Sequence, residues 1–472
     1  MSTTTRVIPI HPLTEGRDGK IQARSVLGSF ARWRWAMVWL TQLVYYGLPW
    51  LTLNGRQALL FDLEARRFHL FGAVLYPQDL IYLTGLLVIS ALLLFFVTAV
   101  AGRFWCGFAC PQTVYTSVFM WVENRLEGSR QNRLRLDASG WTLEKCWRRG
   151  GKHLAWAAIA LWTGFTLVGY FTPIREWGQQ ALLGSPGPWE SFWTGFYGLA
   201  TYVNAGLVRE KVCLHMCPYG RFQGSLMDAE TLNVAYDHRR GEPRQRHVRN
   251  GGLAARSGGS CIDCTLCVQV CPTGIDIRKG LQAACIGCGL CIDACNDVMD
   301  RISQPRGLIR LASLSELAAP IGQSARGWRE LLRPRLLVYG LLLGGASAAL
   351  ALGFAWRPEW RLTVIRDRAV MARQVERGEV ENVYRIQVMN ASAGTRQVTL
   401  RLSGAEGMRI ASATTLEVAA AQAATVPVTV RMAAPLASVQ AGHVVPLPFE
   451  VADALAPHTS LARAESTFIV PR

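Results

Sequence analysis

The sequence is poor in charged residues, and acidic residues are especially scarce. Asp, Glu, Lys and Arg make up 18% of the 472 residues, against about 25% in an average soluble protein. The 50 Lys and Arg outnumber the 33 Asp and Glu, and 50% of the residues are hydrophobic. This composition argues against a soluble enzyme and against a disordered chain. In a hydrophobic chain, a basic excess is typical of loops at the cytoplasmic face of a membrane rather than of nucleic-acid binding.

Cysteine is absent from both ends of the chain. All 13 cysteines lie between Cys106 and Cys295, and they are too few and too unevenly spread for a disulfide scaffold. A nicotinamide or flavin fingerprint is also lacking, because Gly102 and Gly107 are not in the strand–turn–helix context that such a site needs. The cysteines are therefore the residues from which a chemical function can be inferred.

Long uncharged runs predict membrane spans. About 20 apolar residues in a helix cross the roughly 30 Å hydrocarbon core of a bilayer. Four runs have this length, and a fifth, Ser191–Val208, is weaker because it is rich in glycine and interrupted by Asn204. The sequence thus predicts five spans, at Trp35–Leu53, Leu80–Gly102, Leu154–Ile174, Ser191–Val208 and Leu336–Trp356.

The distribution of Lys and Arg predicts the orientation. Basic residues crowd segments 1–34 and 103–153, whereas segment 54–79 has three and segment 175–190 has one. Loops rich in Lys and Arg stay in the cytoplasm. The N-terminus is therefore expected inside, and five crossings place the C-terminus outside.

The C-terminal part has a different sequence pattern from the rest of the chain. Apolar and polar residues alternate there with a period of two, as in Tyr384, Ile386 and Val388. Six or seven short strands in about 110 residues predict an antiparallel sandwich of immunoglobulin-like shape. We expect this domain to bind, to dock or only to stabilise, because it shows no catalytic constellation.

The strongest motif is C-x2-C-x2-C-x3-C, which occurs twice. Three thiolates at this spacing surround one face of an iron–sulfur cube, and the fourth ligates the other cluster. The sequence therefore predicts two [4Fe–4S] clusters, one on Cys261, Cys264, Cys267 and Cys295 and the other on Cys285, Cys288, Cys291 and Cys271. Zinc would leave half of these ligands unused, and disulfides are disfavoured in a reducing cytoplasm. Asn296 stands where the first motif has Pro272, which affects the local turn but removes no ligand.

A second motif, C-x3-C-P, occurs at Cys106–Pro111 and at Cys213–Pro218, each just after a predicted span. Cysteines at i and i+4 share one helix face, and the proline bends or breaks the helix. Nearby Arg103, Arg209 and Lys211 are expected to lower the thiol pKa values. Three interpretations stay open for these four cysteines: buried structural residues, a thiol–disulfide couple, or a soft-metal site with help from His215 or Met216, for which copper(I) is the favoured metal. Cys146 stands alone and is interpreted as structural or incidental.

These features together define five parts and a fold class. The expected fold is a polytopic α-helical membrane protein with an inserted bacterial-type ferredoxin domain for two [4Fe–4S] clusters and a C-terminal all-β sandwich. The parts are a cytoplasmic segment (1–34), a membrane domain of four spans (35–208), a cytoplasmic region (209–335) with the ferredoxin-like domain at about 255–305, the fifth span (336–356) and the outer domain (357–472).

The combination resembles the cytochrome c oxidase accessory protein family CcoG, also called FixG or RdxA. The resemblance rests on the two C-x3-C-P pairs, on Tyr236-Asp-His-Arg-Arg-Gly-Glu-Pro-Arg244 and on Cys271-Pro-Thr-Gly-Ile-Asp-Ile-Arg-Lys-Gly-Leu-Gln282, followed by a span and a β-rich tail. It implies a bacterial inner-membrane protein with a periplasmic C-terminal domain that assists assembly of the cbb3-type oxidase.

The same resemblance implies a chemistry, the reduction of Cu(II) to Cu(I) for the oxidase copper centre. Cys106, Cys110, Cys213 and Cys217 become candidate copper-binding or redox residues, and the eight ferredoxin-type cysteines become the electron relay. Oxidase subunits or their copper-delivery proteins are the implied partners, and the electron donor is unknown. Two alternatives stay open: a quinol-oxidising electron-transfer subunit, and a redox-silent assembly scaffold.

The predicted topology can be tested with reporter fusions. Fusions after Arg357 should report a periplasmic location, and fusions within 220–330 a cytoplasmic one, because Lys and Arg are concentrated on the opposite side from the C-terminal domain. A cytoplasmic location for a reporter after Arg357 would contradict the five-span prediction.

Overall fold

A computed structural model describes residues 21–471, apart from 54, 72, 245–257, 320–332, 368–371, 376–377, 393, 405–406, 421, 440–441 and 457–458. The predicted cytoplasmic segment 1–34 and the start of the predicted ferredoxin-like domain therefore lie partly outside the described residues. The chain divides into two compact units, Met1–Asp62 with Ile81–Leu350, and Leu63–Leu80 with Ala351–Arg472.

Helices dominate the first unit. In chain order they are α1 Ser29–Gly47, α2 Leu80–Ala101, α3 Phe104–Phe108, α4 Pro111–Leu126, α5 Arg130–Ala138, α6 Leu143–Val168, α7 Ile174–Leu182, α8 Pro188–Thr201, α9 Pro218–Leu226, α10 His238–Gly241, α11 Leu266–Gln269, α12 Leu290–Arg301, α13 Leu314–Ala318 and α14 Pro334–Ala355. Two π-helical segments, Tyr202–Val208 and Val212–Met216, lie between α8 and α9.

Two helices of the described residues are long and apolar enough to cross a membrane. They are α2 and α14, with mean hydropathies of 2.7 and 1.9, and they match the second and last predicted spans. The rest of the protein buries almost none of their apolar side chains. Lipid is the medium that such a surface suits, since a helix that is hydrophobic all round needs an apolar environment.

The other three predicted spans are helical but have different bounds. Helix α1 ends at Gly47, before the 3₁₀ turn Leu48–Trp50 that contains Pro49. Helix α6 already begins at Leu143, where the Thr142 side chain caps it by accepting from the Lys145 N–H, and the weakest span is α8 continued by the π-helix Tyr202–Val208. The number of five spans stays a prediction.

Short strands complete the first unit: β1 Thr52–Leu53, β2 Arg56–Gln57, β3 Leu59–Asp62, β6 Asn233–Tyr236 and β7 Ile309–Ala312. The last two flank the ferredoxin-type cysteines in the sequence and pair antiparallel, from Asn233 opposite Ala312 to Tyr236 opposite Ile309. Their inner faces join an apolar core with Ile277, Ile292 and Met299. This core holds the two cysteine loops on one platform.

Helix α1 begins against this platform. Asp293 of α12 accepts hydrogen bonds from the backbone N–H groups of Phe30, at 3.2 Å, and Ala31, at 2.8 Å. A carboxylate at a helix N-terminus satisfies amide groups that have no partner within the helix. The first predicted span is thereby anchored to the cysteine-bearing region.

The second unit is a β-sandwich. The segment Leu63–Leu80 contributes β4 Arg67–Leu70 and β5 Ala73–Leu75. The C-terminal strands are β8 Trp360–Arg366, β9 Arg373–Gln374, β10 Val380–Asn390, β11 Arg396–Leu402, β12 Met408–Ile410, β13 Thr415–Val418, β14 Gln422–Met432, β15 Val444–Asp453 and β16 Ser460–Ile469, with the short helix α15 Ala434–Val439 before β15.

Two antiparallel sheets enclose one core, in the strand orders β12-β14-β10-β8, with β9 also on β10, and β13-β11-β15-β16. Tyr384, Ile386 and Val388 on one sheet, and Leu447 and Phe449 on the other, are fully buried. The period-two alternation therefore predicted the buried faces correctly. Among the described residues of the C-terminal part there are nine strands, β8 to β16, instead of six or seven, because two- and three-residue strands such as β9 and β12 leave little trace in an alternation pattern.

Candidate iron–sulfur and thiol sites

The eight ferredoxin-type cysteines surround two neighbouring cavities. Cys261, Cys264, Cys267 and Cys295 line the first, which we call cradle 1. Cys271, Cys285, Cys288 and Cys291 line the second, cradle 2, and Cys267 lies at the wall of both. The fourth cysteine of each motif thus lies with the first three of the other. This is the geometry that the predicted ligand assignment requires.

The two cysteine loops share one backbone conformation. Asp263 and Thr265 in the first loop have φ values of 54° and 57°, and Gly287 and Gly289 at the same motif positions have 68° and 71°. Left-handed residues at these positions curl the chain tightly, so that successive cysteines face one cavity. The repeat in sequence is therefore also a repeat in structure.

The donor set of each cradle fits an iron–sulfur cluster. Thiolate sulfur is the ligand that such clusters take in proteins, and each cradle offers four cysteines. Burial raises the pKa of Cys267 and of Cys285 to about 12. These thiols are therefore protonated at neutral pH until a metal displaces the proton.

Within the described residues, no three His, Cys, Asp or Glu side chains converge tightly enough to hold one metal ion. The cysteines of each cradle surround a cavity and do not converge on the position of a single metal ion. That arrangement suits a polynuclear cluster better than a mononuclear zinc site, in which four ligands lie about 2.0–2.3 Å from one ion.

The C-x3-C-P pairs straddle helix breaks instead of occupying one helix face. Cys106 lies in α3 and Cys110 is the N-cap residue of α4, whose first residue is Pro111. In the second pair, Cys213 lies in the π-helix Val212–Met216 and Cys217 is the N-cap residue of α9. The expected stacking at i and i+4 is wrong, because proline is favoured at the first position of a new helix.

The structure nevertheless brings the two pairs together. The Cys106 thiol interacts electrostatically with Cys110 and Cys217, and the Cys213 thiol interacts with all three other cysteines of the pairs. Two pairs that are more than 100 residues apart in the sequence are therefore neighbours in the fold.

The expected effect of the nearby basic residues on these thiols is not what the structure shows. Burial, followed by the neighbouring Cys110, raises the pKa of Cys106 to about 11, and the opposing effect of Arg103 is smaller. Burial likewise raises the pKa of Cys213 to about 12. The predicted lowering is wrong because removal of a thiolate from water costs more than these cations return.

Arg209 is unavailable to the thiols because a carboxylate neutralises it. Its guanidinium lies 2.7 Å from Glu123, which is fully buried and also contacts Arg133 at 3.5 Å and Lys152 at 3.8 Å. This buried charge network fixes the residue that joins the two π-helical segments, at a φ of 48°. It therefore positions the Cys213 pair and leaves the charge of Arg209 paired.

Two polar contacts at Cys106 and Cys285 had no signal in the sequence. Gln223 of α9 is fully buried and its Nε2 donates to Cys106 Sγ at 3.3 Å. Arg103 donates to the carbonyl oxygens of Cys285, at 2.9 Å, and Gly220, at 3.0 Å. These contacts join α9, the first C-x3-C-P pair and cradle 2.

Helix α3 packs directly on the second cysteine loop. A Cβ atom at Gly107 would lie 2.9 Å from the Cα and N atoms of Cys288, and one at Gly287 would lie 3.0 Å from the Arg103 carbonyl oxygen. Only glycine permits two backbones to approach this closely. The residue next to Cys106 therefore contacts the loop that lines cradle 2.

Three family models match the chain. The model described as a 4Fe-4S dicluster domain matches residues 208–314, a 4Fe-4S binding domain matches residues 83–128, and the IG-like fold at the C-terminus of FixG matches residues 350–471. Two iron–sulfur regions and an immunoglobulin-like C-terminal domain are thereby confirmed. The second of these matches includes Cys106 and Cys110.

Curated relatives match most of the chain. It is 40% identical over 395 residues to Protein RdxA of Cereibacter sphaeroides, covering 82% of each chain. It is 38% identical over 437 residues to Nitrogen fixation protein FixG of Rhizobium meliloti, covering 86% of this chain and 83% of the relative. The crystal structure of a FixG-related protein from Vibrio parahaemolyticus matches with 23% identity and a TM-score of 0.20, over 24% of this chain and 95% of that one.

The cradle geometry predicts which cluster each cysteine variant damages. Anaerobically purified protein should hold about eight iron and eight sulfide per chain. Cys295→Ala should damage the cluster of Cys261, Cys264 and Cys267, because Cys295 lines cradle 1. The reciprocal variant, Cys271→Ala, should damage the other cluster. Electron paramagnetic resonance of single-cluster variants separates the two; damage confined to the cluster of each cysteine's own motif would contradict the crossed assignment.

Proposed function

This chain belongs to the FixG and RdxA family of iron–sulfur electron-transfer proteins, and we propose that it reduces Cu(II) to Cu(I) at its paired C-x3-C-P thiols. The Cu(I) would serve the copper centre of a cbb3-type oxidase during assembly, with oxidase subunits or their copper-delivery proteins as partners. The supporting observation is the backbone contact between Gly107 and Cys288. It joins the thiol pairs to a cluster cradle at van der Waals distance.

The clusters, when bound to the cysteines of the two cradles, supply one-electron transfer. The positions of the chain's own residues would determine the path of that transfer. Cradle 1 shares the Cys267 wall with cradle 2, cradle 2 contacts α3, and α3 carries Cys106. An electron that reaches cradle 2 is therefore separated from the first thiol pair by the backbone of two loops.

The thiol pairs suit copper as a substrate of this reaction. Cu(I) is a soft ion that sulfur binds more strongly than it binds Cu(II), so thiolate ligation raises the copper reduction potential. Each 60 mV of that rise favours a one-electron transfer by about 1.4 kcal/mol. Cys106, Cys110, Cys213 and Cys217 would bind the ion two at a time, because no three of these thiols converge on one point, and each step adds one electron to one Cu(II).

Burial of the thiols would add a proton cost to the binding of copper. Cys106 and Cys213 have pKa values raised to about 11 and 12, so a bound copper ion must displace protons. Proton competition weakens retention of Cu(I), and a product held less tightly can be released to an acceptor. The exposed His215 and Met216 stand beside the second pair, where an imidazole and a thioether are suitable ligands for Cu(I) in transit.

A membrane location is part of the proposal. Helices α2 and α14 would cross the bilayer together with the three less apolar segments, as the positive-inside pattern requires. The cradles and thiol pairs would then lie at the cytoplasmic surface, and the β-sandwich would lie in the periplasm.

In a second candidate function, the C-x3-C-P thiols bind iron instead of copper. The match of residues 83–128 to a 4Fe-4S binding domain favours it, because this segment contains Cys106 and Cys110 and none of the ferredoxin-type cysteines. Four thiols from two pairs would then hold a third iron–sulfur cluster at the membrane edge. The iron content of variants distinguishes this candidate from the copper site.

Loss of a C-x3-C-P thiol should abolish copper reduction without loss of the two clusters. Chemically reduced wild-type protein should convert Cu(II) to Cu(I), measured with a Cu(I)-specific chelator. Cys106→Ala and Cys217→Ala should abolish or strongly slow this reaction, because they remove ligands that favour Cu(I). The matched control is Cys146→Ala, which removes an exposed thiol outside every motif and should react at the wild-type rate.

Other outcomes of that experiment assign the thiols differently. Loss of iron from Cys106→Ala supports the third-cluster candidate. Copper reduction at the full rate in both variants contradicts a role for the pairs. Clusters that take up no electron from any reductant would support the scaffold alternative.

The contact at Gly107 can be tested by a single methyl group. Gly107→Ala should push α3 away from the Cys288 loop, because a Cβ there would meet backbone atoms at 2.9 Å. Copper reduction should slow by about tenfold or more, since small displacements between reacting groups are costly. Gly150→Ala is the matched control, because a Cβ at Gly150 meets nothing within 4 Å. An unchanged rate in Gly107→Ala would contradict the proposed route.

A further inference from the structure

A further cavity of the first unit lies beside the cysteine sites described above and is lined in part by Cys213 and Cys285. It has a volume of about 450 Å³, which is within the range of small-molecule sites. Its walls come from the end of α2, from α3, from the π-helix of Cys213, from α9 and from the loop before Cys285. We call it the α2–α9 cavity.

The walls of this cavity are mostly apolar. Phe104, Leu214, Met227, Leu232, Leu281 and Leu311 supply most of the lining. Arg103, Cys213, His215, Asp228 and Cys285 add polar groups at the wall, and the apolar majority of the lining suits a planar or aliphatic group. A ligand of the cavity is therefore a largely apolar organic molecule.

Two amide side chains provide directed polarity. The Asn233 Nδ2 group donates to the Thr231 carbonyl oxygen, and the Gln282 Nε2 group donates to the Asp276 carbonyl oxygen. These bonds leave both amide oxygens as acceptors, and among the described residues no hydrogen bond to either oxygen is present. Both side chains are half-buried, and the hydroxyl groups of a ligand could donate to these oxygens.

The position of the cavity selects a redox-active ligand that comes from lipid. Ala101, the last residue of the apolar helix α2, lines it, and so do Cys285 of cradle 2 and Cys213 of the second thiol pair. Phe104 at the wall is 42% exposed, so an aromatic ring lies at the cavity close to where a predicted span ends. Aromatic residues are favoured at that depth of a bilayer.

We propose that the α2–α9 cavity binds a membrane quinol, the electron donor of the relay. A quinol has an apolar ring and tail and two hydroxyl groups, which are the features that the walls and the two amide oxygens select. This inference rests on the proposed electron-transfer function and names its donor.

The electrons that a quinol releases on oxidation match the number of electron acceptors that the chain would bind. Loss of its two O–H hydrogens to give the quinone releases two electrons and two protons. The two electrons match two one-electron acceptors, the clusters held by the eight ferredoxin-type cysteines. The protons leave to water at the rim, where Gly224 and Ala283 are exposed. One quinol thus provides for the reduction of two Cu(II) ions.

Gly224 offers a way to fill the cavity without disturbing its walls. Gly224 of α9 lines the cavity and a Cβ there meets nothing within 4 Å, so Gly224→Leu has room for a larger side chain at the wall, and we expect this side chain to take up part of the ligand's space. Gly344→Leu in α14 is the matched control, because a Cβ there also meets nothing within 4 Å and Gly344 does not line the cavity.

The experiment measures binding first. Holoprotein in nanodiscs is labelled with a photoreactive short-chain ubiquinone, with decylubiquinone as the competitor, and the labelled peptides are mapped. We expect labels on peptides of α9 and of the loop before Cys285, and at least about tenfold weaker competition in Gly224→Leu but not in Gly344→Leu, because the added side chain occupies the ligand's space. Iron content should be equal in all three proteins.

The second measurement is reduction of the clusters by decylubiquinol, followed by electron paramagnetic resonance. It should be slow in Gly224→Leu, while dithionite reduces the clusters of that variant fully. Equal quinone affinity in Gly224→Leu, labels outside the cavity, or equal competition by decanol, as for a cavity that holds any lipid chain, would each overturn the inference. Failure of dithionite-reduced wild-type protein to reduce Cu(II) would instead count against the copper proposal alone, since quinone binding is measured separately.

Discussion

The position of the cluster cradles relative to the C-x3-C-P thiols depends on one contact between two stretches of backbone. Helix α3 and the Cys285–Cys288 loop touch at Gly107 and Gly287, where a Cβ atom would lie 2.9 or 3.0 Å from the facing backbone. Arg103 strengthens the contact by donating to the carbonyl oxygens of Cys285 and Gly220. Without this contact the cradles and the thiol pairs would be two separate sites. With it, the cysteine loop of cradle 2 lies directly against the helix that carries Cys106.

The sequence predicted the parts that depend on local spacing. The C-x2-C-x2-C-x3-C repeat predicted two cradles, because three cysteines at that spacing can curl around one space with left-handed residues between them. The alternation around Tyr384 predicted a buried strand face, because a strand has a period of two. The C-x3-C-P motif also predicted a helix break, since proline cannot continue a helix.

The parts that depend on packing between distant residues could not be predicted. Gln223 contacts Cys106 across more than 100 residues, and glutamine in a helix has no pattern that signals a thiol partner. The thiol pKa values were expected to fall because three basic residues are near in sequence. The pKa values of Cys106 and Cys213 rise instead because these two thiols are buried, and Arg209 is paired with Glu123. Burial and ion pairing depend on the fold, so they cannot be deduced from the number of charged residues that are near in the sequence.

The two cradles differ in the charges around them. In cradle 1, Arg278 is held by Asp263 at 2.5 Å and Asp276 at 2.8 Å, and Arg240 acts on Cys295. At cradle 2, Arg103 and Arg34 lower the pKa of Cys285 and Cys288 against the larger effect of burial. Among the described residues, neither of these two arginines has a carboxylate partner.

Cradle 2 is therefore the more positive of the two. Positive charge near an iron–sulfur site stabilises its reduced form. The unpaired cations therefore favour an added electron at the cradle that contacts the thiol pair. This difference would favour transfer from a cluster in cradle 1 to one in cradle 2, whereas onward transfer to copper would depend on how strongly the thiols stabilise Cu(I).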